Sequence, residues 1–280
     1  MSLLVQISDP HFGTERQPVV AALTALVRAQ KPSVLLLSGD ITQRARAQQF
    51  AAAARFVEEL GVPQRLVIPG NHDIPLFNPI ARLCFPYANF ARAFGANLEP
   101  EHDSPSLLVL CVKTTRRLRH TDGEVSPAQI ERVARRLESA SAAQLRIVVT
   151  HQPVHVIAES DRHDRLHGHA PAVRAWSAAG ADLIVGGHIH LPYIRPLSDA
   201  FPDLPRRTWA VQAGTAVSRR VRGGISNSIN MIRHDTAAAE ICQVERWDYD
   251  EQESVFTRVE AHQLVLDRMP KAAIASLLSE

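Results

Sequence analysis

The chain has 280 residues, 45% of them hydrophobic and 21% charged, with a formal net charge of +2 at pH 7. That length supports a sizeable core, and that composition excludes a disordered or fibrous chain. The small net charge gives no push towards a polyanion partner, and no run approaches the ~20 apolar residues a membrane helix needs.

Leu3 to Ile7 reads as a buried strand and leads at once to Asp9, leaving no room for a cleavable signal peptide. From Pro18 to Gln30, Val19, Ala22, Leu23, Leu26 and Val27 share one helical face. Val34 to Leu37 is a second strand, Ala47 to Leu60 an Ala-rich helix closed by Gly61, and Leu66 to Ile68 a third strand. Asn78 to Pro105, Arg116 to Glu124 and Glu159 to Ala170 read as loops. Ser126, Pro127 and Gln129 form a capping box ahead of the stripe Ile130, Val133, Ala134 and Leu137. Strands follow at Ile147 to Val149 and Leu183 to Val185, with a helix ending near Gly180 between them. From about 208 the segments Trp209 to Val211, Ser228 to Ile232, Glu240 to Trp247 and Ser254 to Val259 read as antiparallel strands, and 270–278 as a short helix. The alternation of strands and helices predicts an α/β layered fold. No linker interrupts it, so 1–280 is read as one domain. Cys84, Cys111 and Cys242 form no CxxC pair, which fits a reducing compartment, and the cytoplasm is the expected location.

The chemistry stands where the apolar runs end. The five strands lead to Ser8-Asp9-Pro10-His11, Gly39-Asp40, Gly70-Asn71-His72-Asp73, Thr150-His151 and Gly186-Gly187-His188-Ile189-His190. In an open α/β sheet, ligands bind beyond the carboxyl ends of the strands, so five such ends converge on one edge. Singly, the residues have plainer uses: Asp40 could cap a helix, and Asp9 could bind nearby amides. His188 and His190 are alternate residues and would face opposite sides of a regular strand, unless the chain turns after Gly186-Gly187. As a set, oxygen and imidazole donors without thiolate suit Mn, Fe, Zn or a similar divalent ion and argue against a structural zinc cage. Two such ions with Asp9, Asp40 and a hydroxide leave a net positive centre, which favours a phosphate ester.

The ordered set DxH, GD, GNHD, a strand-terminal His and GGHIH resembles the calcineurin-like metallophosphoesterase superfamily. That resemblance runs from Asp9 to His190 and, more weakly, into Gly214-Thr215. It implies a four-layer α/β-β/α sandwich of two mixed sheets flanked by helices, with two divalent cations. Asp9, His11, Asp40 and His190 would hold one ion; Asp40, Asn71, His151 and His188 would hold the other. His72 would stabilise phosphoryl oxygens or protonate the leaving alkoxide, with Asp73 orienting its ring. A water bridging the ions would attack phosphorus in line.

Departures from sister families narrow the branch. Gln43 stands where a purple acid phosphatase has a Tyr ligand, Ile41 to Ala45 departs from the GDxxDRG of protein phosphatases, and His72 stands where UDP-diacylglucosamine hydrolases usually have Arg. The remainder resembles the bacterial class III cyclic-nucleotide phosphodiesterase and glycerophosphodiesterase group. A small-molecule phosphodiester is therefore the expected substrate. A nuclease or DNA-repair enzyme, a UDP-diacylglucosamine-type hydrolase and a non-catalytic scaffold are the alternatives, and a homodimer is allowed. Outside the motifs, His155, Arg219 and Arg220 are candidate substrate contacts, the arginines because they closely follow Gly214-Thr215. The histidines His163, His167 and His169, and the cluster Arg116, Arg117 and Arg119, read as solvated surface.

Overall fold

Strand side chains alternate between faces, and here that alternation sorts the apolar residues into three layers. In β1 (Ser2–Ile7), Leu3, Val5 and Ile7 join one core while Leu4 joins another. In β2 (Val34–Ser38), Leu35 and Leu37 go with the first set, and Val34 and Leu36 with the second. A strand buried on both faces needs a continuous apolar run, which is what these segments carry.

The computed structural model describes residues 1–268, so the terminal helix expected at 270–278 lies outside the described residues. Two mixed six-stranded sheets are present. The first has β1, β2 and β3 (Gln64–Ile68) parallel to one another. It is extended beyond β1 by antiparallel β10 (Ser228–His234), β11 (Ile241–Asp250) and β12 (Val255–Val265). The second has β5 (Leu107–Cys111), β6 (Leu145–Val149), β7 (Leu183–Gly186) and β9 (Trp209–Gln212) parallel, with β4 (Glu101–Asp103) and β8 (Tyr193–Pro196) antiparallel at its edges.

Helices α1 (Gln17–Gln30) and α2 (Ala47–Glu59) cover the first sheet through Leu23, Val27, Phe50 and Phe56. Helices α5 (Pro127–Glu138) and α6 (His169–Ala179) cover the second through Val133, Leu137, Val173 and Trp176. Between the sheets, Leu36, Leu66 and Ile68 meet Val109, Ile147, Val149 and Val185. This is the α/β arrangement of two helix-flanked mixed sheets that the resemblance implied.

Local signals near α5 and α6 hold in detail. The Ser126 hydroxyl accepts from the Gln129 amide at 3.3 Å, the Gln129 side chain accepts from the Ser126 amide at 3.0 Å, and Gly180 ends α6 with φ 113°. Two expectations need correction, and one strand lies where the sequence reading assigns nothing. Asn78 to Pro105 is not simply a loop: it contains α3 (Pro79–Cys84), α4 (Ala88–Phe94) and β4. Leu107–Cys111 is a central strand, with both faces buried by neighbours remote in sequence. The Trp209 segment is parallel to β7 rather than antiparallel, because the chain first turns through edge strand β8 and returns between it and β7.

Candidate metal centre

The ends of β1, β2, β3, β6 and β7 place their polar residues together, and they do so through unusual backbone. Asp9, His11, Asp40, His188 and His190 all have positive φ, at 51°, 43°, 47°, 73° and 56°. Non-glycine residues rarely hold that left-handed conformation, and such strain persists where surrounding structure over-determines it. The turn at His188 and again at His190 explains how alternate residues reach one site. Close approach of the loops also depends on glycine: a Cβ at Gly187 would lie 1.9 Å from the Ser8 hydroxyl and 2.3 Å from Asp9 Oδ2.

Two sets of donor atoms result, with Asp40 at the join. On one side His190 Nε2 lies 3.3 Å from Asp9 Oδ1, and His11 Nε2 lies 3.0 Å from His190 Nε2 and 3.7 Å from Asp40 Oδ2. On the other, His151 Nε2 lies 3.3 Å from both Asp40 Oδ1 and Asn71 Oδ1. Asp9, His11 and His190 form one compact group of donor atoms, and Asp40, His151 and His188 another. All seven expected ligand residues are thereby brought together.

The ring hydrogen bonds assign the tautomers. His151 Nδ1 is 2.9 Å from Ser38 O, His190 Nδ1 is 2.7 Å from Arg220 O, and His72 Nδ1 is 3.0 Å from Gln43 O. A carbonyl can only accept, so each Nδ1 donates and each neutral ring keeps its lone pair on Nε2. At His188 no ring hydrogen bond forms: Asp164 Oδ1 lies 3.4 Å from Nε2, an ion-pair distance only. His11 Nδ1 and both His188 ring nitrogens are buried without a hydrogen-bond partner among the described residues. Buried imidazoles are expected to have partners, and a cation held with Asp40 and His151 would supply one to His188. The donor set fits divalent cations.

Electrostatics point the same way. Burial alone would raise Asp9, but the His190 hydrogen bond and the charges of His190 and His151 outweigh it and bring the carboxyl down to about 2. Asp40 is held well below the usual carboxylate range, with burial overcome chiefly by His151 and His72. Burial takes His11 down to about 3 against the pull of Asp40 and Asp9. Burial would lower His151, but the charge and hydrogen bond of Asp40, the charge of Asp9 and the Ser38 carbonyl together bring it up to about 9, so the carboxylates draw positive charge to this ring.

Asp73 does not orient His72 as expected. Its carboxylate accepts from the amides of Ile41 (2.9 Å), Thr42 (2.8 Å) and Gly70 (2.9 Å) and from the Thr42 hydroxyl (2.8 Å), while Gln43 O holds the His72 ring. Asp73 therefore ties the β2 loop to the β3 loop. Burial and the Asp40 charge push it up to about 7 against the amides of Gly70 and Ile41 and the Thr42 hydroxyl. Since all four partners donate, the hydrogen bonds accommodate the ionised form, and compensation of the Asp40 charge removes one cause of the rise.

The three outlying candidates separate. Arg220 Nη1 lies 3.1 Å from His72 Nε2 and 3.4 Å from His11 Nε2, at the mouth of the centre. Arg219 turns instead to a cleft with Glu15, Arg16 and Gln17. His155 packs edge-on against Tyr193 at 6.2 Å. Sequence reasoning missed Asp164 and the pair Arg222–Asp161 (2.6 Å), in which Arg222 also donates to Ile189 O at 2.9 Å and so fixes the segment between His188 and His190. A carboxylate in a polar loop after the fourth motif carried no local signal of either role.

Two helix-flanked mixed sheets with carboxylates and imidazoles clustered at their strand ends are the architecture of the metallophosphoesterase fold. The model of the calcineurin-like phosphoesterase family matches residues 3–192, and the chain belongs to that family. It is 33% identical over 81 residues to a probable cyclic nucleotide phosphodiesterase from Synechococcus sp., a match spanning 26% of this chain and only 31% of that protein. In fold it is similar to a dimetal phosphatase from Danio rerio (TM-score 0.62, 13% identity, 95% of this chain and 99% of that one). It is also similar to a purple acid phosphatase from yellow lupin, Lupinus luteus (TM-score 0.66, 11% identity, 95% and 54%).

Among the described residues, no helix is long and apolar enough to cross a membrane.

Proposed function

We propose that the chain is a dinuclear metal-dependent phosphodiesterase acting on a small-molecule phosphodiester of the cyclic-nucleotide or glycerophosphodiester type. The observation that carries this reading is the pair of adjoining donor groups, Asp9–His11–His190 and Asp40–His151–His188, with Asp40 Oδ2 3.7 Å from His11 Nε2 and the rings of His151 and His190 tied through Nδ1 to backbone carbonyls. Asp9, His11, Asp40 and His190 would hold one ion, and Asp40, Asn71, His151 and His188 the other, with Mn, Fe or Zn the candidates. Such a pair of cations supplies Lewis acidity and a water acidic enough to act as nucleophile near neutral pH.

The chain's own residues account for the remaining steps. Arg220 offers a guanidinium to the phosphoryl oxygens at the mouth of the centre. Because the Nδ1 proton of His72 is committed to Gln43 O, Nε2 is the atom that would deliver a proton to a leaving alkoxide, and it would do so from the imidazolium, returning the ring to its neutral form. Nε2 faces Arg220 at 3.1 Å, so a phosphate arriving there meets both groups together. The Synechococcus relative supports the diester reading.

The test is turnover of bis(p-nitrophenyl) phosphate by protein whose metal content is measured by elemental analysis, followed by cyclic nucleotides, glycerophosphodiesters and monoesters. His72→Ala should keep its metal and lose about 10²–10⁴ in rate. Metal-loaded protein that turns over no diester with Mn, Fe or Zn would sink the proposal.

A further inference from the structure

Next to this centre lies an apolar surface that the described residues leave uncovered. Helix α3 buries none of its residues. Phe77, Ile80, Leu83 and Phe85 are 78%, 74%, 46% and 66% exposed, and Leu118 on the facing loop is 79% exposed. The two segments form one surface: Arg117 donates to Leu83 O at 2.9 Å, and Arg82 donates to Arg119 O at 2.5 Å. The Arg44 guanidinium lies over the Phe77 ring, 5.1 Å from its centroid. His72 and Asn71 share a small cleft with Leu76 and His120, so this surface borders the candidate centre. Exposed apolar side chains clustered in this way are features of interaction sites.

The charge carried within the two patch segments themselves has one sign. No Asp or Glu occurs from Ile74 to Leu98 or from Lys113 to Thr121. Asp122 and Glu124 pair with Arg119, whereas the partners of Arg44, Arg82 and Arg117 are backbone carbonyls and an aromatic ring.

We propose that this surface docks on an anionic phospholipid bilayer and lays the mouth of the centre at the headgroup plane. Phe, Ile and Leu would enter the boundary between headgroups and acyl chains while the interspersed arginines meet lipid phosphates. A second copy fits less well, because a two-fold contact would set the same arginines against each other. One consequence rests on the phosphodiesterase reading above: a phosphodiester carried by the bilayer would be presented directly to His72 and Arg220. Docking itself does not depend on that reading.

The experiment is co-sedimentation of the full chain with vesicles of phosphatidylcholine alone, or of phosphatidylcholine and phosphatidylglycerol in equal parts, at low and high salt. Binding should be at least about tenfold stronger to the anionic vesicles and weaken with salt. Phe77→Ser combined with Leu118→Ser should reduce it on the order of tenfold or more, with circular dichroism and bis(p-nitrophenyl) phosphate turnover retained. Arg117→Glu should weaken it too, while Val255→Ser with Val259→Ser, exposed apolar residues on β12, should not. Equal or absent binding to the two vesicle types overturns the proposal, as does a Phe77/Leu118 variant that binds like the parent. Loss of a concentration-dependent dimer in that variant would also overturn it and assign the surface to a second copy. Vesicle binding without turnover refutes only the phosphodiesterase reading, and turnover without vesicle binding refutes only the docking.

Discussion

Gly70→Ala tests how the centre is assembled, because it adds a single methyl group where two loops cross. The added Cβ would lie 2.1 Å from the Asp40 amide nitrogen, 2.2 Å from Asp40 Oδ1 and 2.8 Å from its Cα, where ordinary contact begins at 3.4 Å. Backbone strain contributes nothing, since Gly70 has φ −97°, which any residue adopts. The loops must therefore part by more than an ångström. Overpacking of this kind costs about 1–3 kcal/mol, or a fall in Tm of roughly 2–12 °C for a chain of this size. The larger effect is on the site: Asp40 lies between the donor groups, 3.3 Å from His151 Nε2 and 3.7 Å from His11 Nε2, and a 1 Å misplacement can cost about 10²-fold in rate. The assay compares Tm, metal per chain by elemental analysis and diester turnover. Gly61→Ala is the control: Gly61 has φ 70° with nothing within 4 Å of the new Cβ. That change costs about 1–2 kcal/mol of left-handed strain and leaves metal content intact. If Gly70→Ala binds metal and turns over diester like the parent, the reasoning about Asp40 is wrong.

Other perturbations separate neighbouring roles. Arg220→Ala should lower kcat/KM for a diester by about 10–100-fold, from loss of roughly 1.5–3 kcal/mol of charge-assisted hydrogen bonding, while Arg219→Ala stays near the parent; equal losses would contradict the different placement of the two side chains. Asp73→Asn replaces one acceptor oxygen with a donor facing donors, so chemical denaturation should show a loss of about 2–4 kcal/mol, and an unchanged midpoint would mean the tie between loops is unimportant. Burial holds His169 below its ordinary value of 6.5. The folded protein then binds fewer protons than the unfolded chain just below pH 6.5, so this stability is present above that pH and is lost as pH falls through the window. His169→Gln should flatten that acid limb in thermal melts at several pH values, and an identical limb would remove His169 as its source.

Much of the candidate centre was legible because its residues sit at boundaries that local patterns mark. An apolar run ends, a glycine or polar residue follows, and Asp9, Asp40, Asn71, His151 and His188 stand there. The Ser126–Gln129 cap was legible for the same reason, since both partners lie within one turn of helix. Leu107–Cys111 was harder, because a short apolar run between polar segments has no period of its own to reveal a central strand. The direction of the Trp209 strand depended on β8, an edge strand too short and mixed to announce itself.

The sequence by itself determined which residues could serve as ligands and in what order along the chain, since strand ends and turn residues are local properties. Only the tertiary structure decided how those residues meet. Left-handed turns at His188 and His190 let alternate residues face one centre, and Asp73 took the amides of the β2 loop and Gly70 in place of the His72 ring. Arg220 came to the mouth while its neighbour Arg219 turned away, and Asp164 and Arg222 entered from loops with no motif. These outcomes are set by contacts between segments more than thirty residues apart in several cases, such as Asp40 with His72 and His11 with His190. Hydrogen-bond and packing partners at that range are chosen by the assembled sheets, not by neighbours in the chain.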